Sequence, residues 1–320
     1  MSFLSKIKYE YHSKHLQDLF RNQKYKELIE NITKLSDKKE FFLNFAQKYI
    51  PEIFKDTNNN LLTSKIIWLN SFSDYCLDSI EKFIKFYTNE IQNKNFEIHP
   101  YENLISRNFN FYINKNEFSI NDFFDHSYLY QWLILFNLSN QSLFLRNYSS
   151  FFSKQNNLNF TNINFCNCYF LIVDHPYNNY QKIKKNLNND REIAKNIFLN
   201  SDQRPLEINL PHSKHFIPRQ SWTTHTNSWS DPNVLNSLRG KIIRYDDLIL
   251  NSFETLSGVI MHMIQSGINL ELDYAIIEKF IDDKFLAGSE DYSQAKLSNN
   301  ETKFLSSEIK EASDRIGFAV

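Results

Sequence analysis

"KIIWLNSFSDYCLDSIEKFIKFY", residues 65–87, decides the fold. Residues 66–69 form a short apolar run, followed by a polar turn and an amphipathic helical stretch over 77–88. In a nucleotide-binding α/β protein, such a strand–turn–helix is where a phosphate is cradled. Here the turn reads Ser71-Phe72-Ser73-Asp74-Tyr75-Cys76, with no glycine, no lysine and an acid in the middle. A backbone loop that wraps phosphate needs left-handed residues and close approach, hence glycine. The chain has five glycines, at 240, 258, 267, 288 and 317, so no such loop exists before residue 240.

Working outward, further apolar runs bounded by polar turns occur at 142–145, 169–173 and 241–245. Helical periodicity falls at 122–138, 191–199, 220–229, 253–265, 273–280 and 302–316. Strands separated by wide, helix-bearing connections predict an α/β fold, a parallel sheet flanked by helices on both faces. Ligands of such folds bind beyond the carboxyl ends of the strands, so the residues following each strand are the site candidates. Upstream, 9–54 reads as helices, with a turn at 21–23 and Pro51 near the end, and the hairpin at 16–35 resembles one tetratricopeptide unit. The polar break at 55–60 divides an N-terminal helical segment, 1–60, from an α/β domain, 61–320. The N-terminal helices are read as a cap on that domain or as a partner-binding module.

The 320 residues are 42% hydrophobic and 16% aromatic, enough for a sizeable core. A formal net charge of −1 supplies no field to gather nucleic acid or anionic lipid, so no nucleic-acid partner is expected. No apolar run reaches the length of a membrane span, and the first fifteen residues are too polar for a secretory signal. Together with three cysteines, too few for a disulfide framework, this predicts a cytoplasmic protein. Cys166 and Cys168, two apart on a strand, are expected on one face as small buried hydrophobes. His212 and His215 have the spacing of a metal clip but lack a third ligand, and no metal is expected.

The order of these strand ends resembles the sulfotransferase family that uses 3′-phosphoadenosine 5′-phosphosulfate (PAPS), best in its bacterial members with a P-loop, nucleotide-kinase-like fold. The resemblance covers about residues 64–320. Its clearest segment is "RQSWTTHTNSWSDPNVLNSLRGKIIRYDDLI", 219–249, similar to the family's Trp-His-Trp helix followed by a strand ending Arg-Tyr-Glu-Asp-Leu. Trp222, His225 and Trp229 fall on one helical face, and Arg244-Tyr245-Asp246-Asp247-Leu248 closes the strand. The last helix, "FLSSEIKEASDRIGF", is similar to the family's terminal helix.

The resemblance also implies which catalytic groups are altered. The family's strand is followed by Pro-Lys-Ser-Gly-Asn/Thr-Thr-Trp. Here Ser73 stands for the Pro, Asp74 for the phosphate-binding Lys, Tyr75 for the Ser and Cys76 for the Gly, while Asp78 stands for the Thr and Ser79 for the adenine-side Trp. In "LFLRNYSSF" Tyr148 stands for the catalytic His. In "YFLIVDHPYNNYQK" Pro176 is kept, but Asp174 stands for the Arg of the 3′-phosphate and Lys182 for the Ser. The late Arg-Lys-Gly motif has no counterpart in 288–300.

Sulfuryl transfer needs a base for the acceptor and cations for the leaving diphosphate. Tyrosine, with an ordinary pKa near 10, is a poor base at neutral pH. The leading expectation is therefore a degenerate sulfotransferase-family protein with little or no transfer activity and no tight cofactor, serving as a binding or partner subunit beside a companion sulfotransferase. A second is an active PAPS-dependent enzyme with relocated groups: His175 or His225 as base, and Lys182 or Lys184, with Arg244 as a further candidate, on phosphate. A third is an interaction scaffold that binds another protein through residues 1–60.

Overall fold

The computed structural model describes residues 65–92, 98–101, 143–148, 150–153, 158–163, 165–199, 220–283 and 296–320, with isolated positions among 14–31 and at Gln131 and Leu135. Most of the helices expected at 9–54 and 122–138 thus lies outside the described residues, as do His212 and His215. Leu16, Leu19 and Leu135 are described and buried.

The centre is a five-stranded, all-parallel sheet in the order β2-β3-β1-β6-β7. Its strands are β1 (Ile66–Ser71), β2 (Ile98–Pro100), β3 (Leu143–Asn147), β6 (Cys166–Val173) and β7 (Gly240–Arg244). Two short strands, β4 (Phe152–Ser153) and β5 (Leu158–Asn159), form a separate antiparallel hairpin. The helices are α1 (Asp74–Gln92), α2 (Pro176–Asn186), α3 (Arg191–Leu199), α4 (Trp222–Trp229), α5 (Pro232–Ser237), α6 (Tyr245–Leu250), α7 (Ser252–Gln265), α8 (Tyr274–Asp282) and α9 (Asn299–Arg315).

Every residue of β1 is buried, as expected of a parallel strand covered on both faces. Alternation sends Ile66 and Trp68 to one layer and Ile67 and Leu69 to the other. The first layer holds α2, α3, α4, α5 and α9 around Trp222 and Trp229, and takes in Leu16, Leu19 and Leu135. The second holds α1, α6, α7 and α8 around Phe83, Met263 and Phe280. The expected α/β parallel sheet with helices on both faces is therefore the observed architecture.

Two local readings differ, and one helix is added to those read from the sequence. Between Ile66 and Ile67 the partner on β6 jumps from Cys166 to Cys168, so Asn167 is an extra residue in the ladder. This bulge rotates the strand, and the two cysteines part: Cys166 enters the first layer and Cys168 the second. Tyr245 is not the end of the last strand but the first residue of α6. Finally, 176–186 forms a regular helix, with Pro176 at its first position and the His175 side chain capping it.

The connections set the site. From β1 the chain leaves through α1, on the second layer, toward the β3–β2 side. From β6 it leaves through α2–α5, on the first layer, toward β7. Opposite directions on opposite faces satisfy the right-handed crossover rule and leave a crevice at the carboxyl ends of β1 and β6.

Candidate functional site

The β1–α1 turn is short. Ser71 ends the strand and Asp74 begins the helix, leaving Phe72 and Ser73 between them. Among the described residues the positive-φ positions are Asn188, Asn189, Arg239, Gly267 and Gly317, none of them in this turn. The Ser73 amide donates to Ser71 Oγ at 3.3 Å, and the Ser73 hydroxyl lies 3.9 Å from Cys76 Sγ. Phe72 turns toward the first layer, edge-on to Phe198 and His225. Cys76 turns into the second, where burial pushes its thiol up and the charge of Lys182 opposes that rise.

Beyond β6, Asp174 is almost fully buried. Its Oδ1 accepts from the His175 amide at 2.7 Å and from Asn178 Nδ2 at 3.0 Å. Asn179 Nδ2 donates to the Asp174 carbonyl at 3.2 Å. Lys182, about two turns along α2, lies within electrostatic reach of Cys76 and Asp174. Burial lowers its pKa, while Cys76 and Asp174 act in the opposite direction. Tyr245, at the start of α6, meets Ser79 of α1, and burial pushes its phenol up. The structure thus brings Cys76, Ser79, Asp174, Lys182 and Tyr245 together at the switch point. No Tyr245 role was visible in the sequence, because its position was read as strand.

Lys184 does not share this place. Its ammonium lies 2.8 Å from Glu301 of α9, and both side chains are buried. Burial alone would raise the Glu301 carboxyl, but hydrogen bonds from Lys184 and Ser298 hold it at about 2.

Tyr148 and Asp78 belong to a second cluster. Tyr148 is buried in the second layer, and Arg146 beside it carries an ion-pair network. Arg146 Nη2 lies 2.6 Å from Asp78 Oδ1 and also binds Glu81, which in turn holds Lys85. Burial opposes the Arg146 charge, yet Tyr148 and Glu81 raise its pKa overall. One residue on from Arg146, Asn147 Nδ2 donates to Asn70 Oδ1 at 2.9 Å, crosslinking β3 and β1 at their ends.

His175 and Arg244 form a third group. His175 Nδ1 accepts from the Tyr177 amide at 3.2 Å, and Nε2 stands 3.4 Å from the Ala319 carbonyl. Burial pulls its imidazole below the ordinary range. Arg244 binds the Asp246 carboxylate through Nε and Nη2, donates to the Gly317 carbonyl at 2.8 Å and reaches Asp247 at 3.5 Å. His225 lies in the first layer near Phe72. Trp222 stacks on Phe198, and Trp229 packs among Phe151, Phe160 and Tyr169. The Trp-His-Trp face is core.

Chemically, among the described residues, the switch point sets the Lys182 ammonium near the Asp174 carboxylate, each charge favouring the other. The turn between β1 and α1 is two residues long, Phe72 and Ser73, and neither is glycine. Among the described residues no cluster of His, Cys, Asp and Glu is arranged to hold a metal, and no helix is long and apolar enough to cross a membrane. Compared with known proteins, the chain matches no family model and no curated protein.

Proposed function

We propose that this chain is a sulfotransferase-type α/β protein whose cofactor crevice is closed by its own side chains, acting as a binding or partner subunit rather than as a transferase. The observation that carries this reading is the β1–α1 turn. Two residues with negative φ stand where a phosphate loop belongs, and the charge of Asp174, not that of a bound phosphate, acts on nearby Lys182. The central β1 and the crevice at the ends of β1 and β6 support the family architecture. The altered residues support the loss of function. Two charge-assisted contacts, each worth about 1.5–3 kcal/mol, are missing at Asp74 and Asp174. The two acids facing phosphate add about 1 kcal/mol of repulsion each, and micromolar binding corresponds to about 8 kcal/mol in total, so affinity for the family's nucleotide falls to the millimolar range or weaker.

Calorimetric titration with adenosine 3′,5′-bisphosphate at moderate salt tests this. No measurable heat of binding below millimolar concentration is expected, and a micromolar dissociation constant overturns the reading. One observation favours the second reading, an active PAPS-dependent enzyme with relocated groups: Lys182 reaches the switch point. If the titration gives micromolar affinity that Lys182→Met abolishes, that second reading takes its place.

A further inference from the structure

The segment after α9 does something the sequence does not announce. Helix α9 ends in a left-handed turn at Gly317, with φ +81°, and the Phe318 amide returns to the Ser313 carbonyl at 2.9 Å. The turn drives Phe318 between two groups at the carboxyl ends of β6 and β7. The ring centroid of Phe318 lies 5.2 Å from that of His175 on one side and 4.8 Å from the Arg244 guanidinium on the other. Backbone contacts bracket the ring. Arg244 Nη1 donates to the Gly317 carbonyl, and His175 Nε2 points at the Ala319 carbonyl. A side chain at 317 would be strained by its φ and would sit 3.1 Å from Arg244 Nη1, so glycine serves both the turn and the approach.

We propose that the turn 316–319 is an acid-released latch over the β6–β7 end of the crevice, closed while His175 is neutral. Closure depends on how the imidazole shares its two nitrogens. Nδ1 accepts the Tyr177 amide proton and thereby caps α2, so the single ring proton of the neutral form resides on Nε2 and is donated to Ala319. A second proton has only Nδ1 to occupy, and there it opposes the Tyr177 N–H. The ring must then turn away, and it takes its contacts with Phe318 and Ala319 with it.

The charged groups around His175 do not remove this conflict. Asp174 is engaged with the His175 amide and Asn178. Asp246 favours the imidazolium, but Arg244 disfavours it, and those two are bound to each other, with Asp247 also on Arg244. Opening the latch uncovers His175 and Arg244 at the strand ends. The inference holds whether or not the crevice takes a nucleotide, and its test uses none.

The test is an NMR pH titration of the full chain without ligand, following the His175 ring signal and the cross-peaks between the Phe318 ring and the Arg244 side chain. At pH 8 the cross-peaks are expected. On acidification they should disappear together with the His175 titration, which should lie below the ordinary histidine value. His175→Gln supplies a permanently neutral acceptor and donor, and its Phe318–Arg244 cross-peaks should survive to the same acid pH. The proposal is overturned if the wild-type cross-peaks persist through the His175 titration. It is equally overturned if they are lost in His175→Gln at the wild-type pH, since another group then drives the opening.

Discussion

Lys184 on α2 and Glu301 on α9 form a buried ion pair, Nζ to Oε1 2.8 Å, across 117 residues of sequence. Glu301 also closes the capping box of α9. Its Oε2 accepts from the Ser298 amide and hydroxyl, while Ser298 Oγ receives the Glu301 amide. One carboxylate therefore starts a helix and ties it to α2, whose first turn forms one wall of the crevice. Removing either partner alone leaves a buried charge, a loss of about 3–5 kcal/mol. Lys184→Met and Glu301→Gln should each show this in urea denaturation. The double replacement Lys184→Met with Glu301→Gln should be less destabilised than the sum of the two singles. Strict additivity would mean the pair does not interact.

Acid should weaken the fold in two steps. His175 and His262 have folded pKa values below the ordinary one, because burial disfavours their charged forms. Their contribution to stability is complete above about pH 6.5, the unfolded value, and declines as the pH falls through the folded values. Glu301, held at about 2, stabilises the fold fully above the ordinary carboxyl range and loses that contribution between about pH 4.5 and 2. Unfolding free energies measured at intervals from pH 8 to pH 3 should fall in both windows. Glu301→Gln should abolish the lower step while leaving the upper one intact.

Gly240 opens β7 with its α-carbon against the ring of Tyr169, whose hydroxyl donates to the Trp229 carbonyl. An added Cβ would overlap that ring. Tyr169 is buried against Trp229 and has little room to yield. Gly240→Ala should therefore destabilise by about 1–3 kcal/mol, the usual range for overpacking. Adding Tyr169→Phe, which drops the hydroxyl and its bond, should relieve part of the clash. Thermal unfolding of the two variants reads both effects, and an unaltered melting temperature for Gly240→Ala would count against a close-packed β6–β7 contact.

The sequence exposed those parts of this fold that are written locally. Residues 66–69, 142–145 and 169–173 are continuous apolar runs because a parallel sheet buries both faces, and helices 77–88, 253–265 and 302–316 carry a 3.6-residue period. Pro100 and the three-residue length of β2 hid an edge strand. The bulge at Asn167 was illegible because the extra residue is defined only by the partner strand. At the site, the positions following β1 and β6 were found correctly as strand ends. Which lysine faces the crevice was not decidable, because Lys182 and Lys184 differ by 200° around α2 and only Glu301, far along the chain, fixes the choice. The Phe318 latch was hidden for the same reason.

Placing at position 174 the cation that the proposed sulfotransferase reading would put there should damage the protein. By the resemblance, an arginine that meets the 3′-phosphate would stand at this position, so Asp174→Arg is the substitution that the proposal calls for. Yet the carboxylate is 1% exposed, and its Oδ1 joins the His175 amide to Asn178, so it organises the first turn of α2. Removing that acceptor orphans two buried donors, at about 1–3 kcal/mol for each unsatisfied group. The incoming guanidinium would also lie near Lys182, whose charge Asp174 now favours. Asp174→Asn keeps the shape and one acceptor oxygen but removes the charge, so it should cost less than Asp174→Arg. Urea denaturation should place the asparagine variant within about 2 kcal/mol of wild type and the arginine variant clearly lower. Calorimetric titration with adenosine 3′,5′-bisphosphate should show no gain in affinity for either. An arginine variant as stable as wild type that binds the nucleotide at micromolar concentration would mean that the crevice still has the cofactor's shape and lacks only its charge.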